Sequence, residues 1–414
     1  MTMWRNSFRD RLRTSGPLRL RSWLSAVLLV GSGAQAFAQT TVTLADAVES
    51  AWLRASQATE VAGQTRRAEV ERAAAAALWS APPALEVGVT QDRQRASRPT
   101  RETEIGVSLP LWLPGQRAAR LGQVVAEVSA ATATAEAARL RLAGAVREAA
   151  AEVAIQRAEV ASGQAQADDL QTLAKDVERR VAAGDLARAD ALAANAEYLS
   201  AATALAQARQ RLQVAELGWH TLTGLTQVPE LAPTAAAAGM DHPALRAAAH
   251  RVELARRGLQ VAKTSRRDAP ELVVRARHEV AAGEPSTRGV GVALRIPFGT
   301  ASRNEPLMAA AISELELAEA TERELRQQVE GQVAAARVAE ASARRQLGDQ
   351  NRRAALLRER ATLVEQSFQA GETALPEMLR ALTAAAQAQA ESARAQAALA
   401  QATSRLQQAL GVMP

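Results

Sequence analysis

Val181-Ala182-Ala183-Gly184-Asp185-Leu186, running on to Asp190 and Leu192, and Phe368-Gln369-Ala370-Gly371-Glu372-Thr373, running on to Glu377 and Leu379, are two copies of one stretch. Each glycine stands between two long segments rich in Ala, Gln, Arg and Glu, which are strong helix formers. Glycine at such a joint takes the left-handed conformation that ends a helix. A short connection then sends the next helix back antiparallel. Each stretch therefore predicts the tip of a long helical hairpin. Gly184 and Gly371 lie 187 residues apart, as do Leu192 and Leu379.

Working outward, the same spacing relates Pro83-Ala84-Leu85-Glu86-Val87 to Pro270-Glu271-Leu272-Val273-Val274, and Gly224 to Gly411. The period is far longer than any solenoid repeat, so the chain is a duplicated half. Upstream of the first tip, Val146, Val153 and Val160 fall seven apart, followed by Leu170, Leu173, Val177 and Val181. This is a narrow coiled-coil seam, with alanine allowing close helix approach around it. It predicts a helix from about Arg117 to Ala183, roughly 100 Å long at 1.5 Å per residue. A return helix over 186–222 and an opening helix over 44–80, stacked end to end, match that length. The second half predicts helices over 243–267, 304–370 and 373–410. The boundaries that follow are 1–38 for a leader, 39–225 for a first repeat, 226–241 for a linker and 242–414 for a second repeat.

Between the helices the period changes to two. Leu85, Val87 and Val89 alternate with Glu86, Gly88 and Thr90. After a basic loop from Gln91 to Arg101, Ile105, Val107, Leu109 and Leu111 alternate with Glu104, Gly106 and Ser108. Leu272, Val274 and Ala276 then alternate with Val273, Arg275 and Arg277, and Val290, Val292, Leu294 and Ile296 with Gly289, Gly291, Ala293 and Arg295. Runs of about 9–11 residues with one apolar face suit strands of a membrane barrel. Glu86, Glu104, Arg275, Arg277 and Arg295 would then line the lumen; in a soluble sheet they would form the wet face. Four strands cannot close a membrane barrel, whose smallest natural size is eight. An open edge in lipid is excluded. A membrane location therefore demands that several protomers share one barrel. Trp79, Trp112 and Phe298 flank the strands and suit interfacial anchoring or ordinary packing.

The 414 residues are 48% hydrophobic but only 3% aromatic, and much of the apolar content is alanine, which favours long helices over a core of large side chains. Arg5 to Arg21 precede the apolar run Trp23–Val30 and the small-x-small pattern Ala36-Phe37-Ala38, which predicts a signal peptide cleaved before Gln39. Of the overall formal charge of +6, +5 sits in residues 1–38 (six Arg against one Asp), leaving +1 for the rest. That removes the ground for a nucleic-acid partner. The absence of cysteine excludes disulfides and thiolate metal sites. His220, His242, His250 and His278 show no metal spacing. No phosphate loop, nucleophile motif or paired-carboxylate site is present, so neither an enzyme nor a cofactor is expected.

The order helix, strand pair, long helix, glycine tip, return helix, written twice, resembles the outer-membrane efflux proteins of the TolC type. Leu44-Ala45-Asp46-Ala47-Val48, Gly106-Val107-Ser108-Leu109-Pro110, Gly291-Val292-Ala293-Leu294 and the two tips carry the resemblance. It implies a mainly α protein with a small β part. It also implies a homotrimer with a shared 12-stranded β-barrel in outer-membrane lipid of a Gram-negative bacterium, and an α-barrel tunnel through the periplasm. An inner-membrane pump and a periplasmic adaptor are the implied partners, in a tripartite system where this protein is a passive exit duct. The tip residues Gly184, Asp185, Leu186, Gly371, Glu372 and Thr373 would meet the adaptor. Asp190 and Glu377 would stand near a periplasmic constriction, with Arg380 where relatives can carry a second acid. Arg380 lies one turn past Glu377, within reach of an ion pair that helps hold the gate closed. The alternative is a periplasmic coiled-coil adaptor or scaffold with no channel of its own. The cargo is not encoded in these features.

Overall fold

The computed structural model describes residues 42–92, 100–231 and 241–414. The expected leader, the basic loop over 93–99 and most of the linker lie outside the described residues. Chain order gives α1 (Leu44–Arg54), α2 (Ser56–Ala75), β1 (Ala84–Asp92), β2 (Thr100–Pro110), α3 (Gln116–Ala183) and α4 (Arg188–Thr223). Then follow α5 (Pro243–Thr264), β3 (Glu271–Ala281), β4 (Thr287–Arg295), α6 (Ala301–Gln369) and α7 (Leu375–Ala409). Among the described residues, no helix is long and apolar enough to cross a membrane.

The opening segment begins with a capping box. Thr43 Oγ1 accepts from the Asp46 N–H, and Asp46 Oδ2 accepts from the Thr43 N–H at 2.9 Å. The single helix expected over 44–80 is instead two, broken at Ala55, whose backbone is extended. Arg54-Ala55-Ser56 holds no glycine or proline, so the break is a tertiary effect. Ala47, Val48, Ala51 and Trp52 are buried, and Arg139 stacks 5.0 Å over the Trp52 ring, which fixes α1 before α2 continues along α3. The helix also ends at Ala75 rather than Ser80. Trp112 Nε1 and Arg117 donate to the carbonyls of Ala77 and Ala76 and satisfy its last turn from outside.

α3 is the axis of the helical part. α4 and the α1–α2 pair run end to end along it, meeting where Ser50 Oγ donates to the Thr223 carbonyl at 2.7 Å. α5 and α7 also pack on α3 and meet where Gly411 lies against His242. α6 packs on the far side of α5 and α7. The valine seam is the core: Val146, Val153 and Val177 are fully buried, and Leu170 and Leu173 nearly so. Arg405 pairs with Glu148 at 2.6 Å, and Arg394 clasps Glu159, tying α7 to α3. At mid-length Arg147, only 3% exposed, donates to Gln408 at 2.5 Å and to the Val412 carbonyl at 2.8 Å, anchoring the end of the chain. Among the described residues its charge has no carboxylate partner, and burial lowers its pKa.

The four strands form one antiparallel sheet in the order β1-β2-β3-β4, so the β2–β3 pair joins the two halves. Among the described residues, β1 and β4 are left as open edges.

Candidate functional site

The strand register sorts side chains into two unlike faces. Leu85, Val107, Val274 and Val292 form one cross-strand row; Val87, Ile105, Ala276 and Val290 form the next; Leu109, Leu272 and Leu294 flank them. These rows make a continuous apolar band, with Val290 81% exposed in the protomer. Ile296 and Phe298 prolong it past β4, and Phe298 is 94% exposed. An apolar surface of this extent needs a covering phase.

The opposite face carries Glu86, Glu104, Arg275, Arg277 and Arg295 together. Glu86 faces Gly106, and Gly106 faces Arg275; Gly88 faces Glu104, and Glu104 faces Arg277; Arg295 faces Glu271. Across the row Glu86–Gly106–Arg275–Gly291, glycine alternates with a charged residue. A Cβ on Gly106 would meet Arg275 Cγ at 3.3 Å, so the glycine leaves room for the arginine stem. Arg277 pairs with Glu102 at 2.8 Å and Glu279 at 2.9 Å. Ser108 and Val273, opposite one another near the helix end, are buried.

At the far end of the hairpins both tip glycines are left-handed, with φ of 88° at Gly184 and 81° at Gly371. Each tip closes the same way: the Asp185 N–H donates to the Arg180 carbonyl and the Glu372 N–H to the Ser367 carbonyl, both at 2.9 Å. Gly184, Asp185, Gly371 and Glu372 are exposed. Thr373 is half-buried, its hydroxyl 2.6 Å from that of Ser367. Leu186 is also half-buried, because it leans on the cluster built from Leu170, Leu173, Val177, Phe368, Leu375 and Met378. That cluster fuses the two hairpins, and Arg180 on α3 sits 5.0 Å over the Phe368 ring of α6.

Asp190 and Glu377 occupy matching positions with different partners. Asp190 Oδ2 accepts from the Ala187 N–H at 3.2 Å and so caps its own helix. Glu377 takes Arg380 at 3.2 Å, as the spacing predicts, and Arg360 of α6 at 2.5 Å. Arg360 escapes sequence reasoning, because only the hairpin register brings it opposite Glu377. Among the described residues no cluster of His, Cys, Asp and Glu could hold a metal ion.

The outer membrane efflux protein family model matches residues 237–412. No curated protein matches the chain. Among solved structures, the outer membrane protein VceC from Vibrio cholerae shares 18% identity, with 89% of this chain and 96% of that chain covered and a TM-score of 0.71. The CmeC outer membrane channel of Campylobacter jejuni (14% identity, 89% and 85% covered, TM-score 0.70) has the same fold. So does the open state of the Neisseria gonorrhoeae MtrE outer membrane channel (15%, 89% and 89%, TM-score 0.67). The second half thus carries the outer membrane efflux protein domain, and the chain shares the fold of these outer-membrane proteins.

Proposed function

We propose that the protein is the outer-membrane exit duct of a tripartite efflux system, conducting what an inner-membrane pump and a periplasmic adaptor deliver. The observation that carries this is the incompleteness of the protomer. β1 and β4 have open edges, and four strands cannot close in lipid. α4 exposes Leu192, Leu199 and Val214, and α6 exposes Leu317, Val338 and Leu356, at opposite sides of the helical wall. Three copies close both the sheet, as twelve strands, and the wall, as a tunnel.

In this assembly residues 1–38 are the export signal, 39–225 and 242–414 the two repeats, and 226–241 the linker between them. The apolar face meets outer-membrane lipid. Glu86, Glu104, Arg275, Arg277 and Arg295 line the lumen. The exposed tips around Gly184-Asp185 and Gly371-Glu372 dock the adaptor, with Leu186 and Thr373 shaping them from within. Glu377, held between Arg360 and Arg380, restrains the periplasmic opening, and Asp190 holds the start of the neighbouring return helix. No bond is made or broken; the duct works by shape and charge.

Cell fractionation tests the proposal. SDS-resistant trimers in the outer-membrane fraction are expected. A soluble periplasmic monomer would instead identify a coiled-coil scaffold, which has no use for an apolar sheet face.

A further inference from the structure

The apolar face of the sheet is not apolar throughout. Beyond the row Val87–Ile105–Ala276–Val290, at the end of the sheet away from the helices, the register continues with Val89, Thr103, His278 and Arg288. One step further stand Gln91, Arg101 and Val280. Arg101 and Arg288 are exposed, and neither has an ion-pair partner among the described residues. Negative charge on the described strands is confined to one face. The strand glutamates Glu86, Glu102, Glu104, Glu271 and Glu279 all lie on the opposite face by register, where arginines also sit. Among the described strand side chains, the charges on the apolar face are only cationic. His278 adds a buried Nδ1 without a hydrogen-bond partner, beside a depression of about 320 Å³ lined by Thr103, Ile105, Ala276, Arg288 and Val290. Glu284 lies in the turn beyond this row.

We propose that Arg101, His278 and Arg288 form a headgroup site for a phosphorylated glycolipid of the outer leaflet. This rests on the barrel reading, in which this face meets lipid and the end away from the helices faces the cell exterior. From Ile296 to Val290 the band measures about 20 Å along the strand. The cationic row then begins where a bilayer passes from acyl chain to headgroup. Arg101 and Arg288 stand two strands apart, roughly 10 Å, a span suited to a headgroup with more than one phosphate. Arginine forks grip phosphate oxygens in pairs, His278 donates or accepts beside them, and the depression takes the first part of an acyl chain. A zwitterionic headgroup offers no matching excess of negative charge.

The full-length trimer is reconstituted in phosphatidylcholine vesicles, alone or doped with lipid A, and bound lipid is counted by native mass spectrometry after extraction. Retention of lipid A is expected, with dephosphorylated lipid A retained far less. Arg101→Gln and Arg288→Gln should each lower retention about fivefold, the ratio expected for one surface cation against an anionic headgroup. Arg352→Gln, far away on α6, should not change it. Equal retention by wild type and the Arg101→Gln/Arg288→Gln double variant overturns the proposal. So does displacement of lipid A by inorganic phosphate at equal phosphorus concentration, which would mark a free-phosphate site. Insertion into phosphatidylcholine without preference for lipid A refutes the headgroup site and leaves the barrel standing. Failure to insert into any vesicle refutes both.

Discussion

Val292 and Gly291 are neighbours on β4, at the same height and on opposite faces, and they isolate the question of which face meets lipid. Val292 lies in the row Leu85–Val107–Val274–Val292, in the middle of the apolar band. An arginine there at mid-membrane costs roughly 2–4 kcal/mol. Repeated in three protomers, that is roughly 6–12 kcal/mol per barrel. Per protomer it corresponds to a shift of roughly 30- to 700-fold, at tenfold per 1.4 kcal/mol. Gly291 faces Arg275, has an ordinary backbone, and has nothing within 4 Å of an added Cβ. An arginine there reaches water and meets one like charge, at a cost under about 1 kcal/mol. Val292→Arg should therefore abolish SDS-resistant trimers in the outer membrane, while Gly291→Arg assembles nearly as wild type. Both are read on unheated gels of membrane fractions, with total protein measured by immunoblot. Equal assembly of the two, or the reverse order, would refute the assignment of faces.

At the proposed gate, Glu377→Gln frees Arg360 and Arg380 from their shared carboxylate, so planar-bilayer conductance should rise and cation preference fall; Arg360→Ala should raise conductance through the same loss. Unchanged conductance in both variants would reduce Glu377 to a helix-start charge. At the tips, Asp185→Arg combined with Glu372→Arg reverses exposed charge without touching the core, and should stop export while trimer yield stays normal. Normal export in that variant would exclude these positions from docking. The pH dependence of stability follows from Glu148 and Glu159, whose carboxyls are held below the ordinary value near 4.5 by hydrogen bonds from Arg405 and Arg394. Depressed carboxyl values give stability that is complete above the ordinary value and is lost as pH falls through the folded ones. The Glu148→Gln/Glu159→Gln variant should be less stable at neutral pH and decline less steeply below about pH 4.5 in thermal unfolding; an unaltered acid slope would show that the pairs do not hold α7 to α3.

The features legible in the sequence were those written by a single local rule. Gly184 and Gly371 show themselves because left-handed backbone favours glycine over other residues. The strands show themselves because apolar residues recur at every second position over most of their length. The valine seam shows itself because a period of seven has few other causes. What escaped depends on neighbours from elsewhere in the chain. The break at Ala55 is imposed by the burial of Trp52 under Arg139, and nothing in Arg54-Ala55-Ser56 announces it. Arg360 reaches Glu377 only through the register of the second hairpin. Leu186 looks like a tip residue by position, yet the two hairpins pack close enough to draw it inward.

Leu192 and Leu379 show why the two halves could not stay alike. They are the same position in the repeat, yet Leu192 is 65% exposed and Leu379 is 9%. The long helices differ in the same sense: α3 buries residues along its whole length, while α6 buries few. The reason lies in their flanks. α3 is flanked by the short helices of its own half, α1, α2 and α4, and by those of the other half, α5 and α7. α6 is flanked by those of its own half, α5 and α7. If the repeat is to complete α6 as it completes α3, the missing flank is the α2–α4 side of another copy, where Leu192 and Leu199 stand exposed. The sheet follows the same rule. Within the chain, the second strand of one half pairs with the first strand of the next, β2 with β3. In the proposed assembly, that pairing between copies would be β4 with β1, and the alternating strand directions would make it antiparallel as well. Two copies closed this way give eight strands, and a barrel of that size fills with its own side chains or holds one small ligand. The proposed duct would need more, and three copies would be the smallest ring to satisfy both the flanks of α6 and an open lumen.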